Sequence, residues 1–148
     1  MFQRILFSSL TTVLLAACGA PLQPTGPKLN PPPNCTAPAT PITAEVLYNE
    51  VLKTSCAGST CHGNGSTVPF KAGSAADFKA VWVDQAATQT KQIPRVTPGD
   101  ADKSYVMYKV MGQGTRAGGT ASQMPLSSPA LSNDDLCKLY NWIESGAN

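Results

Sequence analysis

The sequence predicts an all-α domain of about four helices separated by long loops. Three observations carry this expectation. Alternation of apolar and polar residues at period two is nearly absent, four segments repeat apolar residues at helical spacing, and each of these segments follows a residue suited to capping a helix. Glycine and proline are concentrated between the segments, which favours irregular connections there.

The first helix is expected from about Ala44 to Thr54. Thr43 supplies its N-cap, Ile42 before the cap can pack on Leu47, and Val46, Leu47, Val51 and Leu52 are taken as its apolar face. The helix then delivers Cys56 just past its end. Gly58, Gly63, Gly65 and Pro69 make the following segment a loop. Ser74, with Asp77 three residues on, caps a second helix with Phe78, Val81 and Trp82 as its buried stripe. Thr90 to Gly99 reads as irregular, with Pro94 and Pro98 inside it. Asp100 or Asp102 opens a third helix carrying Tyr105, Val106, Met107, Val110 and Met111, stopped by Gly112. From Gly112 to Ser122 the four glycines predict a mobile loop. Ser132 caps the last helix, with Asp135 at its third position and Leu131 stapled onto Leu136. Leu136, Leu139, Tyr140 and Ile143 form its inner face, and Gly146 ends it.

The chain opens on Arg4, an apolar run from Ile5 to Leu15, and small residues at Ala16 and Ala17. This is the pattern of an export signal over residues 1–17, and the run falls short of the about 20 residues that a membrane-spanning helix needs. Leu15-Ala16-Ala17-Cys18 resembles a bacterial lipobox, which implies lipidation of Cys18 and a membrane anchor. A plain secretory signal with Cys18 as an ordinary thiol is the alternative. Gly19, where such lipoproteins carry aspartate for inner-membrane retention, favours the outer membrane, facing the periplasm or the cell surface. Eight of the thirteen prolines lie between Gly19 and Pro41, so residues 18–41 read as an extended tether ahead of a single domain at 42–148. Eleven basic residues, one of them Arg4 in the leader, face nine acidic ones. A mature balance near +1 with dispersed lysines gives no basic face for nucleic acid.

Export places the five cysteines in an oxidising compartment, where thiols are paired or chemically committed. Cys61 stands immediately before His62, the only histidine, and Cys56 lies a short way upstream. Two thiols followed by an imidazole are the local chemistry of covalent c-type haem attachment: two thioethers fix the porphyrin edge and the imidazole binds iron. The spacing here is Cys-x4-Cys-His, two residues longer than the usual one. With Cys18 lipidated and Cys56 and Cys61 on haem, Cys35 and Cys137 remain as a disulfide pair. Closing so long a loop has a chain-entropy effect on the order of 4 to 5 kcal/mol. The alternative is a second disulfide, Cys56 to Cys61, with no haem. A small domain with long loops buries limited apolar area. A flat apolar macrocycle would enlarge its core, and so would disulfides stiffen it.

A haem held by His62 needs its second iron ligand from another residue type. Met124 is the candidate, because it precedes Pro125 in a non-helical segment where a thioether can lie across a ring. Met107 and Met111 sit on a helical face and read as core. Arg95 offers a fork of donors to a haem propionate, or is a solvated surface arginine. The carbonyl of Pro69 is a candidate to orient His62. Trp82, Trp142, Tyr105 and Tyr140 read as core aromatics, with an electron path as the alternative.

Cys-x4-Cys-His-Gly, then Arg95-Val96-Thr97-Pro98-Gly99-Asp100 leading to Ser104-Tyr105, Gln123-Met124-Pro125-Leu126, Leu131-Ser132 and Trp142-Ile143-Glu144-Ser145-Gly146-Ala147 together resemble the class I cytochrome c domain. The chain is especially similar to single-domain cytochrome-c-like lipoproteins of myxobacterial and planctomycete type, over about Thr43 to Asn148. The resemblance implies a small cytochrome c-like domain with one covalent haem c per chain. It makes Cys56 and Cys61 the attachment points, His62 the proximal ligand and Met124 the distal ligand.

The expected function is that of a lipid-anchored electron carrier, serving redox partner proteins and performing no substrate chemistry. The competing expectation is a haem-free structural or interaction lipoprotein of the same fold. Hydrolytic Cys-His chemistry lacks a third orienting group. A zinc site falls short of four ligands, and a thiol-disulfide oxidoreductase would show Cys-x-x-Cys at a helix start. The anchor is checked directly: cells grown with labelled palmitate should label the wild-type chain and leave Cys18→Ser unlabelled, whereas an unlabelled wild type would reject it.

Overall fold

A computed structural model describes residues 26–30, 32–58, 61–63, 73–126 and 128–148. The leader, Cys18, Gly19, Gly65 and Pro69 lie outside the described residues. The architecture is helical, and among the described residues there is no β-strand, only the isolated bridges Val83 to Val96 and Ala86 to Pro94.

Helix α1 is continuous through an α-helical turn at Ala44–Leu47, a π-helical turn at Tyr48–Leu52 and a last turn at Lys53–Ser55. The Thr43 hydroxyl accepts from Val46 N, satisfying one of the first-turn donors that a helix leaves open. Ala44, Leu47, Tyr48, Val51 and Leu52 face inward, while Val46 is 36% exposed. Expecting Val46 on the apolar face is therefore corrected. At 3.6 residues per turn it lies about half a turn from the line through Ala44, Tyr48 and Val51, and Tyr48 takes the inner place. The wider π-helical turn shifts the register of the last turn, Lys53–Ser55.

Helix α2 (Ala75–Trp82) starts where the Ser74 hydroxyl accepts from Asp77 N, and it buries Phe78 and Trp82. Asp100 opens the third helical segment: its carboxylate accepts from Lys103 N at 3.0 Å, capping a 3-10 turn at Ala101–Lys103 that runs into α3 (Tyr105–Val110). Ser104, fully buried, accepts from Thr97 N and donates to Asp100 O, closing the Thr97-Pro98-Gly99-Asp100 corner. Helix α4 (Asn133–Glu144) is capped by Ser132 Oγ, which accepts from Asp135 N, and is followed by Gly146 at φ 100°. That left-handed conformation is open to glycine at little steric cost.

The core forms where α1, α2 and α4 meet. Trp142, Phe78, Leu47, Leu52, Leu139 and Ile143 are sealed there, with the Phe78 ring tilted against Trp142 at 5.1 Å and edge-on to Trp82 at 4.6 Å. The carbonyl of Asn148 accepts from both Ala44 N and Trp142 Nε1 at 3.0 Å, joining the end of the chain to the start of α1. Glu144 and the Ile143 carbonyl hold the Gly99 to Ala101 corner against α4. Lys138 reaches Glu50 of α1, but so exposed a pair adds little stability.

Two stretches differ from expectation. The Gly112 to Ser122 segment is more than an irregular loop: it contains a 3-10 turn at Gly114–Ala117 with Ala117 sealed inside. Thr90 Oγ1 donates to Ala117 O at 2.6 Å, and a Cβ at Gly119 would collide with the Tyr105 hydroxyl. The described part of the proline-rich stretch lies along the domain as a strap. Leu29 is buried, Leu29 N donates to Asp102, Asn30 N donates to Gln113, and Thr36 O accepts from Asn141. Cys35 is bonded to Cys137 of α4 with a Cα separation of 5.3 Å.

Because the bridge fastens the strap to α4, Cys35→Ser with Cys137→Ser should lower unfolding stability by about 2 to 5 kcal/mol. Trypsin should also cut faster after Lys28. An unchanged urea midpoint would show that the bridge contributes nothing to the stability of the fold.

Candidate functional site

The site begins at the end of α1. Cys56 N and Ala57 N both donate to Leu52 O at 2.8 Å, which holds Cys56 against the helix terminus. His62 N then donates to Cys56 O at 3.0 Å, and Cys61 N and Gly63 N both donate to Gly58 O at 2.9 Å. These bonds fold the motif back on itself, so the long cysteine spacing still returns His62 to the side of Cys56. Gly63 is required by close approach: a Cβ there would collide with the Ala57 carbonyl. The His62 ring meets Trp82 edge-on at 6.3 Å, and Trp82 in turn packs on Phe78.

Cys56, Cys61, His62, Arg95 and Met124 all line one cavity of about 400 Å³. That is within the range of small-ligand and cofactor sites, about 300 to 1,000 Å³. Trp82, Ala87, Val106, Val110, Pro125 and Leu126 supply much of the apolar wall. Met124 is half-buried ahead of a cis peptide bond to Pro125, and its N–H donates to Lys109 O at 2.9 Å. Met107 is fully buried away from the lining, as expected of a core methionine, and Met111 is half-buried and packs against the core.

The thiols differ in environment. Burial, reinforced by the neighbouring Cys61, pushes the Cys56 thiol up to about 12, while Cys61 is exposed. Neither is in a disulfide. A thiol so reluctant to ionise is a poor nucleophile or thiolate ligand, so Cys56 is not an activated cysteine. Among the described residues no group of three or more His, Cys, Asp or Glu side chains is placed to hold a bare metal ion.

Arg95 donates through Nη1 to Val81 O at 2.6 Å, and burial lowers its pKa. Lys109 also lines the cavity, and its pKa too is lowered by burial. Among the described residues no carboxylate contributes to the lining. Apolar walls with a guanidinium among the lining residues suit a guest with an apolar body and an anionic group. The donor set fits a haem: two thiols, one imidazole, one thioether and a guanidinium.

Sequence reasoning missed Lys109; it read Tyr105 and Trp82 chiefly as core, and both are buried in the core while also lining the cavity. A cue existed for Lys109, as the one charged residue in the run Tyr105-Val106-Met107-Tyr108-Lys109-Val110. Cys18 and Pro69 lie outside the described residues, and no helix among those residues is long and apolar enough to cross a membrane. Comparison with protein-family models, curated proteins and solved structures returned no match.

The contrast between the two thiols is measurable. In chain prepared without haem at pH 8, Cys56 is buried and held in its neutral form while Cys61 is exposed, so iodoacetamide should label Cys61 well before Cys56. Equal labelling rates, followed by peptide mass spectrometry, would contradict the burial of Cys56.

Proposed function

We propose that this protein is a lipid-anchored, mono-haem c-type cytochrome that carries electrons between redox partner proteins. One observation carries the reading: residues from three separated stretches, Cys56-Cys61-His62, Arg95 and Met124, line the same apolar cavity. Haem bound there supplies a one-electron iron couple.

In this reading the chain's residues divide the work of holding and tuning that group. Cys56 and Cys61 would fix the porphyrin edge through thioethers, since both thiols line the cavity. His62, whose N–H bonds to Cys56 O and whose ring meets Trp82, would supply an imidazole ligand to iron. Met124 would supply the second ligand, a soft thioether that favours ferrous iron and raises the potential. Apolar walls limit water, and Arg95 offers its fork of donors to a propionate. With no substrate chemistry, the protein is a carrier rather than an enzyme. Export, anchoring through Cys18 and an outer-membrane position facing the periplasm or cell surface complete the proposal, together with a class I cytochrome c-like fold.

Intact-mass measurement tests it. The mature chain should carry the added mass of one haem, and Cys56→Ser with Cys61→Ser should abolish it. Met124→Ala should retain haem but lose the red charge-transfer band of thioether-bound ferric haem. A haem-free mass with two disulfides would overturn the proposal in favour of a structural lipoprotein.

A further inference from the structure

The Thr120 to Gln123 segment that leads into Met124 is exposed at every residue, so apolar burial of its own side chains does not fix it. Hydrogen bonds do, and they converge on α3. Lys109 Nζ donates to Thr120 Oγ1 at 3.0 Å and to Ser122 O, while Lys109 O accepts from Met124 N at 2.9 Å. One residue therefore grips the segment at three points, two by its side chain and one by its backbone. Gln123 Nε2 adds a bond to Val110 O at 2.8 Å, and Thr120 Oγ1 also donates to Gln89 Oε1 at 3.1 Å.

A lysine only 7% exposed carries a desolvation penalty that an apolar side chain would avoid. The penalty is offset where the ammonium finds acceptors, and both named acceptors belong to the segment bearing Met124. Glycine at 114 permits the approach: a Cβ there would collide with Thr120 O and lie 3.6 Å from Lys109 Cδ. We infer that Lys109 is a positioning residue, holding the Thr120 to Met124 segment so that the Met124 thioether stays at the cavity. The inference rests on the cytochrome reading only for the role of Met124 as iron ligand; the grip on the segment stands without it.

The test uses the full-length mature chain and Lys109→Met, which keeps length and burial but removes the donors. Amide hydrogen exchange should show protection at Met124 falling by about ten- to hundredfold, the range for losing hydrogen bonds to a charged group, with α4 amides unchanged. In the haem-loaded protein, added imidazole should displace the thioether at about tenfold lower concentration than in wild type, with His62 ligation and covalent haem retained. Unchanged protection at Met124 in a folded K109M would overturn the inference. If K109M does not fold, Thr120→Val removes one acceptor and should reduce Met124 protection severalfold; no change there would overturn it equally. A wild-type chain without haem would sink the cytochrome reading, and exchange measured on that chain would still decide on Lys109.

Discussion

Helix α3 is buried at all six residues, and that constraint organises the molecule around it. A helix with no solvent face must still satisfy its polar side chains, because burying a donor without an acceptor is costly. Three of the six carry polar groups, and each dictates a neighbour. Tyr108 donates to Asp102 O, Tyr105 to Gln89, and Lys109 to Thr120 and Ser122. Asp102 then receives Leu29 N of the strap, so one side of the helix is covered by the amino-terminal segment. The Tyr105, Val106, Lys109 and Val110 positions meet the cavity. Burial of Tyr108 also pushes its phenol up to about 12, leaving it a neutral donor at any physiological pH.

Much of this was legible because it depends on local chemistry. Thr43, Ser74 and Ser132 were readable as caps, since a hydroxyl placed just before an apolar-periodic run meets a first-turn N–H whatever the rest of the chain does. The Cys35 to Cys137 bridge followed from parity once the other three thiols had uses. The candidate site was legible through residue types that are scarce: a single histidine, two nearby thiols and a methionine before proline in a loop. All five named residues line one cavity although no local pattern relates Arg95 or Met124 to the cysteines.

What escaped was decided by distant contacts or by exceptions to a residue's usual habit. Proline content speaks for an extended segment, yet nothing local says that Leu29 will meet Asp102 far along the chain. Glycine content between Gly112 and Ser122 implied conformational freedom. Gly114 and Gly119 instead serve close backbone approach to Thr120 O and Tyr105, a use that composition cannot separate from flexibility. Lys109 was overlooked because lysine is ordinarily a surface residue. The π-helical turn at Tyr48–Leu52 has no cue in a period of 3.6, and it closely precedes the residues that matter most.

The unusual cysteine spacing looks different once the backbone is considered. Spacing matters for a two-point attachment because it sets where the second thiol and the imidazole lie relative to the first. Here the bonds from His62 N to Cys56 O and from Gly63 N to Gly58 O fix that relation directly, so two additional residues need not displace the imidazole. A disulfide between Cys56 and Cys61 would satisfy the thiols, but it gives no reason for the single histidine, Met124, Arg95 and Lys109 to gather around a shared apolar space without a carboxylate. The lining joins apolar walls to two thiols, one imidazole, one thioether and the guanidinium of Arg95, and the proposed haem site rests on that combination.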